Sequence, residues 1–342
     1  MPVKRPVTLQ DVADLAGVSR GAASFALTDR TGVSAATRER VRAAAAELGY
    51  RPNPTARNLR AARTGIIVVY LPSIATTLGY YTEAAFGMVD EALEAGLLVT
   101  LLPRPANGRP LPRIDADGII AIDPVPGDPV LEQLLAPGLP VVSGEAMPAE
   151  YRAVAGEVRS DHAAAARELL DHFAEHGARA PAIIVPEMFS GWSDEITQAY
   201  RDWCTEHGAR ERIEAVAVEG LTDSTIAATR KLLGETDPAD AIISLTEGSV
   251  LNVITSATEY GRTVGEDLLV AAAVDSPALR YTEPSITAID LHPRTFGREC
   301  MRVMREVLDD RSPGEGARRR DVPIDVVFRD STRGRGRAGE RA

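Results

Sequence analysis

The chain has 342 residues, 44% hydrophobic and 25% charged, enough for two or three domains at roughly 100 to 200 residues each. No apolar run nears the roughly 18 residues of a membrane span, no secretory signal follows the basic start MPVKRPVTLQ, and Cys204 and Cys300 form no CxxC pair, so a cytoplasmic protein without a disulfide framework is expected. The net charge of −11 is uneven: residues 1–65 carry eleven bases against five acids, net +6, and the other 277 residues are net −17, a basic head for a polyanion on an acidic body.

The head reads as three short helices. Thr8 is an N-cap with Asp11 three residues on, Val12, Leu15 and Ala16 form one apolar face, and Gly17 stops the helix. After the turn AGVS, Ser19 caps RGAASFAL, and two short helices across a glycine-containing turn make a helix-turn-helix. Ser34 opens AATRERVRAAAAELG, whose Val41, Ala44, Ala45 and Leu48 line a stripe that ends at Gly49. Asn53 and Pro54 start one more short helix, with Arg57, Arg60 and Arg63, too brief and too basic to be stable alone.

From Gly65 the texture changes to β-branched runs such as GIIVVYLP, DGIIAID, PAIIVP and ADAIISL. They alternate with amphipathic stretches such as TEAAFGMVDEALEAG and HAAAARELLDHFAEHG. The alternation predicts an α/β body of parallel sheets covered by helices, and its length favours two similar lobes. The basic, glycine-rich end STRGRGRAGERA is expected to be disordered.

The run from VTLQDVADLAGVS through GVSAATRERV to AAAAELGYRPN resembles the DNA-binding and hinge segment of the LacI/GalR (lactose-repressor) family. More weakly, GEDLLVAAAVD and VVFRDST resemble two later segments of that family's periplasmic-binding-protein-like effector domain. The resemblance implies a helix-turn-helix domain over 1–52, a hinge helix and linker over 53–63, a two-lobed effector and dimerisation domain over 64–332 and a tail over 333–342. The N-lobe would take about 64–160 and 292–321, and the C-lobe about 161–291 and 322–332. It further implies a homodimer that binds a pseudo-palindromic double-stranded DNA operator, in most members as a repressor, and that responds to a small-molecule effector held between the lobes.

Carried over by position, Arg20, Gly21 and Phe25 would face base edges, with Thr8, Ser19 and Ser24 at the backbone. Arginine suits bidentate bonding to guanine, whereas Phe25 offers apolar contact to a thymine methyl, or else packs into the three-helix core. In the hinge, Asn53 starts the helix, Ala56 and Leu59 match the family's minor-groove wedge, and Arg57 and Arg60 would hold phosphates. Leu59 packed on the effector domain is the alternative. The matching effector positions are Tyr80, Tyr81, Asp161, Ser190, Trp192, Ile196, Thr246, Glu247, Val274 and Asp275. Because Ile196 and Val274 stand where sugar-binding members carry charge, two charged clamps are missing. A less polar, ring-containing ligand lying between Tyr80, Tyr81 and Trp192, or none, is therefore expected beside the sugar-like class.

Three further patterns are weak. Gly334, Gly336 and Gly339 spell GxGxxG without a flanking strand or helix. His172 and His176 have metal-ligand spacing but no third ligand, and a solvated helix face is the expected reading. No nucleophile elbow, Walker loop or Cys–His pairing occurs, so neither catalysis, cofactor nor metal is expected. Two other functions stay open: a constitutive or architectural DNA-binding regulator with a vestigial pocket, and a cytoplasmic solute-binding protein.

Overall fold

The computed structural model describes residues 7–27, 31–50, 63–72, 75, 78–104, 111, 114–151, 154–187, 190–217, 219–310 and 317–334. The chain forms two compact units, Met1–Thr64 and Gly65–Ala342. The hinge positions Asn53, Ala56, Arg57, Leu59 and Arg60, and residues 335–342 of the tail, lie outside the described residues.

The first unit holds α1 (Leu9–Ala16), α2 (Arg20–Leu27) and α3 (Ala35–Leu48). Each boundary has a chemical cause. Thr8 and Asp11 form a reciprocal capping box, Ser19 Oγ accepts from Ala22 N–H at 3.1 Å, and Ser34 Oγ accepts from Thr37 N–H at 3.2 Å. Gly17 and Gly49 close α1 and α3 in the left-handed conformation, at φ 64° and 63°, where a Cβ would be strained. The core is small and alanine-rich: Val12, Ala13, Ala23, Ala26, Val41 and Ala44. Short side chains let three short helices pack closely.

The second unit has two six-stranded sheets. In the first, β1 (Ile66–Leu71), β2 (Leu98–Pro103), β3 (Gly118–Ile122), β4 (Val141–Gly144), β5 (Gly156–Arg159) and β11 (Arg318–Asp321) run in the order β11-β5-β4-β3-β1-β2, all parallel. The second joins β6 (Pro181–Pro186), β7 (Ile213–Val216), β8 (Ala241–Ser244), β9 (Leu269–Ala272), β10 (Thr287–Asp290) and β12 (Asp325–Val327) in the order β12-β10-β9-β8-β6-β7. Among the described residues only β12 is antiparallel. Strands such as β3 and β6 are buried throughout, as parallel strands covered on both faces must be. The chain crosses between the lobes after Arg159, after Asp290 and after Asp321.

In the N-lobe, α4 (Gly79–Glu94) packs on α10 (Pro293–Asp309). The apolar pattern of α10 is hard to see in the sequence, because its buried Phe296, Cys300, Met301, Val303 and Met304 are interrupted by Arg294, Arg298, Arg302 and Arg305. Those arginines are anchored on α4. Arg294 and Arg298 bind Asp90 at 2.8 and 3.1 Å, and Arg302 and Arg305 flank the buried Glu91. The helices touch through their backbones. A Cβ on Gly297 would sit 1.9 Å from the Ala84 carbonyl oxygen, and one on Gly87 would sit 2.1 Å from that of Arg294.

His172 is not on a solvated face. It is half-buried, its Nε2 is 2.9 Å from Thr332 Oγ1, and its ring stacks on Phe328 at 4.1 Å. The C-terminal segment folds back onto that helix, a contact invisible to helical periodicity.

Gly297→Ala should lower unfolding free energy by about 2 to 3 kcal/mol, because the two helices must separate and lose apolar contact. Urea denaturation checks this, and an unchanged midpoint would show that the helix contact is compliant.

Candidate functional site

On the head, the outward face of α2 is the first candidate site. Ala23 and Ala26 are buried, while Arg20, Gly21 and Phe25 are exposed. Phe25, at 41% exposure, stands outside the core, with its ring edge beside Gly32. Thr8 and Ser19 sit at the starts of α1 and α2, their side chains used as caps, and Ser24 is half-buried on α2. A cationic, apolar and partly bare helix face with polar caps at its edge is the chemistry that reads base edges in a major groove.

The second site lies between the lobes, where a cavity opens at the C-terminal ends of the strands. Its N-lobe wall includes Pro72 after β1, Leu78, Tyr80 and Tyr81 at the start of α4, and Val125. Its C-lobe wall includes Pro186, Ser190, Trp192, Leu245, Val274 and Leu291. The Tyr80 and Tyr81 rings meet edge to face at 5.1 Å, giving an aromatic floor.

The polar groups come from strand ends. Ile122 and Gly144 are paired neighbours on β3 and β4, so the next residues, Asp123 and Glu145, emerge side by side. The Asp123 N–H donates to the Gly144 carbonyl at 3.0 Å, tying the two turns together. Both acids have left-handed backbones, φ 47° and 71°, a conformation unfavourable for either residue type and concentrated at functional sites. Both are buried. Tyr81 donates to Asp123 Oδ2 at 2.7 Å, and His162 Nε2 lies 3.0 Å from Glu145 Oε1. Asp123 Oδ1, Glu145 Oε2, His162 Nδ1 and Thr246 Oγ1 are buried without a hydrogen-bond partner, a costly arrangement unless something else fills the cleft.

Burial, reinforced by the charge of Glu145, pushes the Asp123 carboxyl up to about 7. Burial alone would lower His162, but its hydrogen bond to Glu145 and that carboxylate's charge outweigh it and raise the imidazole. Glu247 reaches across from the C-lobe. Its Oε2 accepts from Tyr80 N–H at 3.0 Å, capping α4, whose own N-cap residue Leu78 offers no side-chain bond.

Of the ten effector positions read from the sequence, the cavity gathers Tyr80, Tyr81, Ser190, Trp192, Thr246, Glu247 and Val274. Asp161 instead caps the next helix, α6 (His162–Glu175), accepting from Ala164 N–H at 2.9 Å, and borders a separate surface recess. Ile196 is buried in the C-lobe core. Asp275 is held in a two-bond pair by Arg329, at 2.9 and 2.6 Å. Beside the expected Glu247, the cleft is lined by three ionisable residues that the sequence did not single out, Asp123, Glu145 and His162. Asp123 and Glu145 matched no motif, and a run of apolar residues ending in an acid, GIIAID or VVSGE, was the only signal available.

Two family models match the chain: bacterial regulatory proteins, lacI family, over residues 8–53, and periplasmic binding protein-like domain over residues 170–332. The chain thus carries a lacI-type helix-turn-helix domain and a periplasmic-binding-protein-like domain. It is 29% identical over 325 residues to the HTH-type transcriptional regulator CelR of Thermobifida fusca, covering 92% of this chain and 94% of that one. Among solved structures it resembles a CelR–cellobiose complex, with 24% identity, TM-score 0.69 and coverage of 95% and 99% of the two chains. It also resembles a lac repressor dimer bound to operator and the anti-inducer ONPF, with 22% identity, TM-score 0.76 and coverage of 96% and 99%. Those likenesses establish the fold. This protein is a DNA-binding transcriptional regulator, and among the described residues no helix is long and apolar enough to cross a membrane.

Asp123 keeps its proton in the folded protein to about pH 7, but the unfolded carboxyl releases it near 3.8. Between those values the unfolded chain binds fewer protons, so stability falls as pH rises. His162, raised from 6.5 in the folded state, adds stability at low pH that is lost as pH climbs through its folded value. The urea midpoint should therefore decline from about pH 5 to 8, and Asp123→Asn should flatten the lower half of the decline. A wild-type midpoint that rises over this range would contradict the assignment.

Proposed function

We propose that the protein is a cytoplasmic, non-enzymatic repressor that binds a pseudo-palindromic operator as a homodimer and releases or tightens on it when a small molecule enters the interlobe cleft. The observation that carries the DNA-binding half is the bare outer face of α2, with Arg20, Gly21 and Phe25 exposed above a buried alanine seam. Supporting the effector half are the buried, unpartnered oxygens and nitrogen at the cleft, groups that a vestigial pocket would have no reason to keep. That favours a ligand-responsive regulator over a constitutive one. The CelR structure is a complex with cellobiose, which supports a ring-containing ligand here. The domain limits 1–52, 53–63, 64–332 and 333–342 are part of this reading, with Asn53, Ala56, Arg57, Leu59 and Arg60 as hinge contacts to DNA.

Dimerisation is supported by an apolar surface on the N-lobe. Phe86 and Leu93, seven residues apart on α4, and Leu98 and Leu101 on the edge strand β2 are all exposed. Large apolar groups on an open sheet edge and its covering helix form a patch that a symmetric partner would bury.

Operator fragments selected from random duplexes provide the test. Arg20→Ala should weaken binding to the selected site by about 1 to 3 kcal/mol, with little change on random DNA. Fluorescence anisotropy at fixed salt reads this, and equal losses on both duplexes would remove Arg20 from base reading. Phe86→Arg should shift the free protein toward monomer in sedimentation equilibrium. A dimer of undiminished strength would move the interface elsewhere.

A further inference from the structure

The polar groups of the cleft are not all satisfied. Among the described residues three carboxyl groups line it, those of Asp123, Glu145 and Glu247, with neither lysine nor arginine. Glu247 is compensated by the N-terminus of α4, whose Tyr80 N–H it accepts. Glu145 is compensated by His162 at 3.0 Å. Asp123 has only the neutral Tyr81 hydroxyl on Oδ2, and its Oδ1 has nothing. Beside it, Glu145 Oε2 is also unpartnered. Two acceptor oxygens, each on a side chain more than nine-tenths buried, thus issue from adjacent strand ends into an otherwise apolar, aromatic cavity.

We propose that the cleft takes a ring-bearing organic monocation, its protonated amine seated between Asp123 Oδ1 and Glu145 Oε2 and its ring against Tyr80, Tyr81 and Trp192. The proposal rests on the reading of the cleft as the effector site and names the class of effector. A neutral sugar presents hydroxyls that both donate and accept, and such sites use cationic forks to answer the acceptors. Carboxylates side by side answer only donors. An ammonium supplies donors, and its charge is matched by the Asp123 carboxylate that forms when the Asp123 proton leaves, an attraction that is worth more in a dry cleft than in water. A metal ion fits poorly, since among the described residues no three His, Cys, Asp or Glu side chains are grouped to hold one. The strained turns at Asp123 and Glu145 are consistent with acids held in place for a ligand, because they add nothing to the packing of the sheet.

The groups facing Asp123 are Tyr80 and Tyr81 from α4, Glu145 after β4, His162 at the start of α6 and Cys300 from α10. None is a fixed cation. An arriving ammonium therefore displaces the Asp123 proton into buffer, whereas a neutral ligand leaves it in place.

Isothermal titration of the full-length protein with matched pairs tests this: tyramine and tyrosol, benzylamine and benzyl alcohol, glucosamine and glucose, with cellobiose as a further neutral probe. At about pH 7 the amine of at least one pair should bind about tenfold or more tightly than its alcohol, with proton release read from buffers of different ionisation enthalpy. Glu145→Gln should shrink that preference to about threefold or less, and Asp123→Asn should abolish the proton release. The wild-type proton count needs no variant, so a misfolded mutant does not undo the test. An alcohol or cellobiose bound as tightly as any amine, or amine binding without proton release, would overturn the proposal and leave the effector site standing. If none of the seven compounds binds, both the cationic ligand and the effector reading of the cleft fall.

Discussion

Parallel pairing is the constraint from which the rest of the two-lobed unit follows. In a sheet whose strands run the same way, every turn that leaves a strand opens at one end, and a ligand site forms where those ends diverge. Both sheets obey this apart from β12. The cleft is accordingly built from the residues that follow strands: Pro72 after β1, Asp123 after β3, Glu145 after β4, Leu245 after β8 and Leu291 after β10. The site exists because two sets of strand ends face one another.

The cores and the cleft follow opposite rules. Behind the strands, each lobe is filled by buried, mostly aliphatic side chains with a few aromatics such as Phe173, Tyr200 and Phe296, which makes the sheets rigid supports. In front, the same strands deliver strained turns, buried acids and polar atoms without partners. Such features reduce stability where they stand. They persist because the packing behind them leaves the turns no freedom to relax, and the in-register pairing of β3 with β4 fixes the spacing of the two acids.

One contact joins binding to the mutual position of the lobes. Glu247 of the C-lobe caps the N-terminus of α4 in the N-lobe. A Cβ on Gly79 would come within 2.9 Å of that carboxylate, so the glycine leaves room for it. Opening the cleft would strip α4 of this cap and expose its first N–H groups. The α4 helix is in turn locked to α10 by the backbone approach at Gly87 and Gly297 and by the arginine pairs on Asp90 and Glu91. A change at Glu247 thus reaches the helix that carries Phe86 and Leu93 on its outer side.

The sequence by itself determined whatever depends on neighbours a few residues away. Caps at Thr8, Ser34, Gly17 and Gly49, the helix-turn-helix they delimit, and the α/β alternation of the body are local hydrogen bonding and periodicity, legible without a partner. Seven of the ten positions offered by the family resemblance line the cleft. Asp161, Ile196 and Asp275 lie outside it, since a helix cap, a core position and an ion pair with Arg329 are each decided by what lies opposite. The pairing of Asp123 with Glu145, twenty-two residues apart along the chain, was decided only by the tertiary structure. Strand register brings them together, and register is a property of two segments that neither segment encodes alone.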